Sequence, residues 1–189
     1  MFYTHMVTRY DPDIHHRHAI RLRGYDYSRA GAYFVTICVR DRAPILGTIV
    51  EDRVDHTDCG RAVADCWRWL AERYPHVDLD EWIVMPNHLH GIVVIGDGDQ
   101  GRSGTGPVRR KPLGGMVGAF KTVSTQRVNL LRGRAGEPVW QRDFHEHIIR
   151  NEEELDRIRR YVASNPLHWA LDRENPAAMR KPPGVPWQV

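Results

Sequence analysis

Two histidines spaced two apart, His88-Leu89-His90, are the first residues in this chain whose types and spacing could do chemistry. On a β-strand, residues two apart share a face, so both imidazoles can converge on one metal ion while Leu89 points the other way. Read alone, the triplet also fits two packing histidines beside a turn. Tyr161 is the second candidate, in a segment with helical spacing, and beside its apolar stripe rather than within it. It can be read as an amphipathic tyrosine at a core boundary with a wet hydroxyl, or as a functional phenol. Asn165 stands four residues later and shares a helical face with Tyr161, or else caps the helix before Pro166. His145 and His147 flank Glu146, again at strand spacing. Glu146 and His147 are candidates for orienting a metal-bound histidine or contacting a ligand, beside the plainer reading of a structural hydrogen bond.

The elements that position these residues follow from periodicity. Ala32–Val39 is rich in aromatic and β-branched residues and reads as a strand, with a second short strand over Ile45–Val50. Asp58–Tyr74 has helical spacing, with Ala62, Cys66, Trp69 and Leu70 apolar, and Pro75 stops it. Val77–Met85 and His88–Ile95 read as strands joined by a tight turn at Met85-Pro86-Asn87-His88. Leu113–Leu131 reads as a helix and Phe144–Ile149 as a strand. Asn151 is a good N-cap for a last helix, with Glu154 three places on and a stripe of Leu155, Ile158 and Val162. The order strand, helix, two strands, helix, strand is a split βαβ pattern. The expected class is α+β, a ferredoxin-like antiparallel sheet with an added C-terminal helix carrying the tyrosine. No internal repeat is present.

With 189 residues, the chain has room for one domain plus tails. The expected division is a polar N-terminal arm at 1–30, a domain at 31–172 and a Pro-rich tail at 173–189. The content of 41% hydrophobic and 27% charged residues fits a soluble globular protein. Cys38, Cys59 and Cys66 form no CxxC pair, which argues against a zinc ribbon or a disulfide framework. No apolar run reaches the ~18–20 residues of a membrane span, and Met1–Tyr10 has no signal-peptide core. A cytoplasmic, nucleoid-associated location follows as an expectation. The net charge of +3 alone does not establish nucleic-acid binding. Clustering matters more. Arg109, Arg110 and Lys111 close a Gly/Ser/Pro-rich loop (96–112), Lys121 and Arg127 follow, and His15, His16, Arg17, His18, Arg21 and Arg23 mark the arm. Together they could track a DNA backbone, or each could be a solvated charge.

Three motifs occur in order: VMPNHLHG (Val84–Gly91), WQRDFHEHIIRN (Trp140–Asn151) and RYVASNP (Arg160–Pro166), preceded by RLRGYDYSRAGAYFVTICV (Arg21–Val39). Together they resemble the IS200-like transposase family, in its REP-associated tyrosine transposase branch, over about Arg21 to Asp172. The resemblance implies an HUH nuclease. In such an enzyme His88, His90 and Asn165 would hold a divalent cation, Mg²⁺ or Mn²⁺, and Tyr161 would be the nucleophile. It further implies site-specific cleavage of single-stranded or hairpin DNA through a 5′-phosphotyrosine, followed by strand transfer, by a monomer or homodimer. The alternative is a domesticated DNA-binding protein of the same fold that no longer cuts. An unrelated metalloprotein using His88, His90 and the histidines near residue 16 explains neither Tyr161 nor the ordered motifs.

Overall fold

The computed structural model describes residues 22, 24–97 and 110–178. The arm's cluster from His15 to Arg23, Arg109 and the chain from 179 onward lie outside the described residues. Strand β1 (Gly31–Cys38) is followed by a short hairpin, β2 (Gly47–Val50) and β3 (Arg53–His56), then helix α1 (Asp58–Arg73), strands β4 (Val77–Val84) and β5 (His88–Ile95), helix α2 (Leu113–Arg132), strand β6 (His145–Ile149) and helix α3 (Glu152–Ala163). A 3-10 turn, Pro166–Leu171, continues from α3. The four long-range strands form one antiparallel sheet in the order β4-β5-β1-β6. That is the split βαβ arrangement expected from the element order.

The sheet separates two apolar layers. Tyr33, Val35, Ile37, Leu89, Val93 and Ile95 face one way and pack with Trp67 and Leu70 of α1 and Met116, Val117 and Phe120 of α2. Their strand neighbours Phe34, Ile92 and Ile149 face the other way and meet Ile158 and Val162 of α3. Alternation along β5 therefore puts His88 and His90 on the α3 face and Leu89 in the main core. Gly91 lets α1 approach: a Cβ there would lie 2.6 Å from the Trp67 ring.

Helix boundaries match their local signals. Thr57 caps α1 by accepting a hydrogen bond from Gly60 N at 3.2 Å. The buried stripe of α1 runs through Val63, Cys66, Trp67 and Leu70, so Trp67 takes the inner position expected for Trp69. Asn151 caps α3 by accepting from Glu154 N at 2.8 Å. The Ile45–Val50 segment starts its strand at Gly47 and pairs with β3, which the sequence did not announce. Arg53-Val-Asp-His has one apolar residue, and the hairpin turn uses Glu51 and Asp52 at φ 48° and 58° instead of glycine or asparagine.

A register shift between Leu79 and Trp82 interrupts β4. Such a bulge can re-aim a side chain. Here the carboxylate of Asp80 accepts two hydrogen bonds from Arg159 of α3, at 2.9 and 2.7 Å. Helix α3 is thus held by the Phe34/Ile92/Ile149 patch and, at the sheet edge, by this bidentate pair.

Candidate metal and nucleophile site

His88 and His90 are buried, at 0% and 2% exposure, with ring centroids 4.4 Å apart. The tautomer of His88 follows from its partners. Asn87 donates its amide hydrogens to the carbonyls of Arg42 (3.0 Å) and Glu174 (2.7 Å), which fixes the orientation of that amide. Its Oδ1 then faces His88 Nδ1 at 2.9 Å and can only accept. His88 therefore carries its proton on Nδ1, and Nε2 has a bare lone pair. That Nε2 is buried without a hydrogen-bond partner. His90 Nδ1 lies 2.9 Å from Thr36 Oγ1, and its Nε2 lies 3.3 Å from the Tyr161 hydroxyl. A neutral His90 that donates to Thr36 accepts from the phenol at Nε2. Both Nε2 atoms thus turn toward α3 and the segment after it. Burial pulls His88 down to about 4 and His90 well below the usual imidazole range, so both are neutral and ligand-ready at pH 7.

Tyr161 is half exposed along its flank, while its hydroxyl points inward at His90. Its ring meets Phe34 edge-on at 6.0 Å and His90 at 5.3 Å. Burial pushes the phenol up to about 12, with the charge of Asp172 adding to the rise; Arg173 and a hydrogen bond from Asn165 draw it back. Asn165 precedes a proline yet keeps helical backbone angles, φ −59° and ψ −40°. The α3 spiral therefore carries it past Ser164, and it stays beside Tyr161. It is 2% exposed, and its Oδ1 has no hydrogen-bond partner.

Sequence reasoning did not find Asp172. The 3-10 turn returns the chain to the start of β5, where Trp169 stands over His88 at 6.0 Å between ring centroids. Asp172 follows. One carboxylate oxygen accepts from Glu174 N at 2.7 Å, and the other is buried without a partner, 3.9 Å from His88 Nε2. Ligand atoms of His88, His90 and Asp172 all lie within 4.8 Å of one another. Arg173 and Glu174, assigned in sequence to the tail, are packed here. The Glu174 carboxylate meets Arg42 at 3.1 Å, Arg173 at 2.9 Å and the Cys38 thiol at 3.4 Å.

Other candidates are placed elsewhere. Glu146 pairs across from Val35 and so shares the α1/α2 side of the sheet, opposite the histidines, beside Gly114 and Gly115 at the start of α2. His147 is on the α3 face, but its Nε2 is 2.8 Å from Glu154, so it braces the start of α3. Lys121 donates to the carbonyls of Gln141, Arg142 and Asp143 at 2.9, 3.2 and 3.0 Å, holding that loop. Arg127 acts on Cys66 of α1, in the helical layer. Arg110 bonds the Asp97 carbonyl and Lys111 stands 5.6 Å above the Tyr74 ring. Asp97 follows β5, so Arg110 lies near the strand end opposite His88, which is about 23 Å along the strand at ~3.3 Å per residue. The cations at the site are instead Arg42 and Arg173, which no spacing links to His88.

No protein-family model matches the chain. An uncharacterized protein of Haemophilus influenzae is 34% identical over 179 residues, covering 89% of this chain and 98% of its own length. A second protein of that organism, described as a "Putative REP-associated tyrosine transposase", is 24% identical over 143 residues, covering 75% of this chain and 73% of its own. Among solved structures, a REP-associated tyrosine transposase bound to a REP hairpin superposes with a TM-score of 0.52 at 21% identity, covering 79% of this chain and 73% of that one. The α+β fold is thus that of the REP-associated tyrosine transposases, the branch the sequence motifs resemble. The chain belongs to the family of the first Haemophilus protein.

Proposed function

We propose that the chain is a divalent-metal-dependent nuclease and strand transferase that cuts single-stranded or hairpin DNA through Tyr161. One observation carries this reading: the Tyr161 hydroxyl stands 3.3 Å from His90 Nε2, beside a second bare imidazole nitrogen on His88. A buried polar atom without a partner calls for an explanation. His88 Nε2, Asn165 Oδ1 and Asp172 Oδ2 are three such atoms, all able to donate a lone pair to a cation. The residues present therefore fit a metal held by His88 and His90, with Asn165 as a further oxygen donor. When bound, Mg²⁺ or Mn²⁺ would offset the negative charge of a scissile phosphate and ease ionisation of a nearby phenol.

The protein's own groups do the rest. The inward hydroxyl of Tyr161 is aimed by Phe34, His90 and Asn165, so its oxygen is the one presented to phosphorus. Attack forms a P–O bond to tyrosine and breaks the P–O3′ bond. The phenol proton leaves to solvent and the departing 3′ oxygen takes one up. The product is a 5′-phosphotyrosine, and a 3′-hydroxyl attacking that adduct rejoins a strand without ATP. The adjacent solved structure with a bound REP hairpin supports hairpin DNA as the substrate class.

The test is intact-mass detection of a protein–DNA adduct after mixing the protein, Mn²⁺ and single-stranded oligonucleotides tiling the DNA around its gene. The wild type should gain the mass of a DNA fragment, and Tyr161→Phe should gain none while binding the same oligonucleotide. Adduct persisting in Tyr161→Phe would remove Tyr161 from its role. Salt-sensitive hairpin binding with no adduct on any tile would assign the chain to the non-cutting DNA-binding alternative.

A further inference from the structure

We propose that Asp172 is the anionic ligand of the cation site, supplied by the turn that follows the tyrosine helix. This rests on the metal reading above and adds a charged oxygen that the sequence expectation of His88, His90 and Asn165 did not contain.

Position is the first support. The donor atoms of His88, His90 and Asp172 fall within 4.8 Å of one another, close enough for one ion to touch all three. The Asp172 side chain is 5% exposed, and its Oδ2 has no partner. Leaving a buried carboxylate oxygen unpaired costs free energy that a cation would offset. His88 does not satisfy that oxygen, because 3.9 Å is beyond hydrogen-bond reach.

The second support is how the carboxylate is held. Its other oxygen is fixed by Glu174 N, and the Glu174 backbone carbonyl is fixed by the side chain of Asn87. The same Asn87 sets the tautomer of His88 through Oδ1. One buried amide therefore ties the carboxylate-bearing turn to the imidazole it faces. The Glu174 carboxylate, two residues on, is engaged by Arg42, Arg173 and Cys38, and so anchors the turn.

The third support is charge. Two neutral imidazoles and a neutral amide bring no negative charge to a dication, whereas a carboxylate brings one and favours hard, oxygen-seeking ions. Two histidines with one carboxylate also leave coordination positions open for phosphate oxygen and water.

Calorimetric titration of Mn²⁺ into the full chain, without DNA, tests this. Asp172→Asn keeps the shape and the acceptor for Glu174 N, and should weaken Mn²⁺ binding about 10-fold or more. Glu174→Gln, which loosens the anchor but keeps the proposed ligand, should weaken Mn²⁺ binding less than Asp172→Asn does. Asp172→Cys should shift preference from Mn²⁺ toward Cd²⁺, a change that loss of local order would not produce. Unchanged Mn²⁺ affinity in Asp172→Asn, with binding lost in the His88→Ala/His90→Ala variant, overturns the Asp172 assignment and leaves the metal reading standing. Equal losses in Glu174→Gln and Asp172→Asn, with no Cd²⁺ preference in Asp172→Cys, also overturn it, because the order of the turn would then be the cause. A wild type that binds no Mn²⁺ overturns both readings.

Discussion

Thr36 shows how much of the site is decided by single atoms. Its hydroxyl is the partner of His90 Nδ1 at 2.9 Å, inside the sheet and 3% exposed. That bond fixes the ring plane, and with the proton on Nδ1 it leaves the Nε2 lone pair for a cation. Thr36→Val removes this partner while keeping the strand and its packing. We expect Mn²⁺ affinity to fall about 10- to 100-fold, with Thr36→Ser close to wild type, both read by calorimetry. Affinity equal to wild type in Thr36→Val would show that the ring is fixed without the hydroxyl. At this scale the sequence was half legible. The shared face of His88 and His90 follows from strand parity alone, and the Tyr161–Asn165 neighbourhood from helical spacing. Thr36, Asn87 and Asp172 were not legible. Thr36 meets His90 through the pairing register of β1 with β5, Asn87 acts through the geometry of a turn, and Asp172 returns through a 3-10 segment. None of these is a periodic signal.

Elements carry their own prediction in the start of α3. Glu154 accepts from Arg150 N at 2.8 Å and meets His147 at 2.8 Å, while its own N–H is capped by Asn151. The backbone hydrogen bond from Arg150, followed by the one to His147, lowers the Glu154 carboxyl below the ordinary 4.5. A carboxyl lowered in the folded state stabilises the fold above its unfolded value and loses that contribution as pH falls through the folded one. Glu154→Gln should thus cost about 1 kcal/mol in urea denaturation at pH 7. The difference from wild type should shrink as pH drops below 4.5; a difference independent of pH would mean the charge is not what matters. The same helix shows why capping and amphipathic spacing were readable while the β4 bulge was not. Asn151, Glu154, Ile158 and Val162 are local signals. The shift at Leu79/Trp82 is set by where Asp80 meets Arg159, a contact between distant segments. Helix α2 formed despite its early glycines because Leu113, Met116, Val117 and Phe120 are buried against the sheet and α1.

For the whole molecule, the question is how many chains a site needs. Helix α3 packs on the sheet of its own chain through Ile158 and Val162 and is bonded to Asp80, so Tyr161 faces its own His90. One chain therefore holds both halves of the constellation. Mixing Tyr161→Phe with His88→Ala/His90→Ala should not restore adduct formation; recovered activity would mean the tyrosine is exchanged between chains. The charge layout bears on the proposed DNA contact at the same scale. Arg42 and Arg173 stand beside the histidines, whereas Lys121 and Arg127 belong to the helical layer behind the sheet. Among the described residues no helix is long and apolar enough to cross a membrane.

The indole of Trp169, 6.0 Å from the imidazole of His88, gives the pocket a light-emitting neighbour. A paramagnetic ion seated there quenches emission at short range, and a diamagnetic one does not. Occupancy by Mn²⁺ can therefore be followed by intrinsic fluorescence, with Mg²⁺ as the dark-free control and Trp169→Phe as the blank.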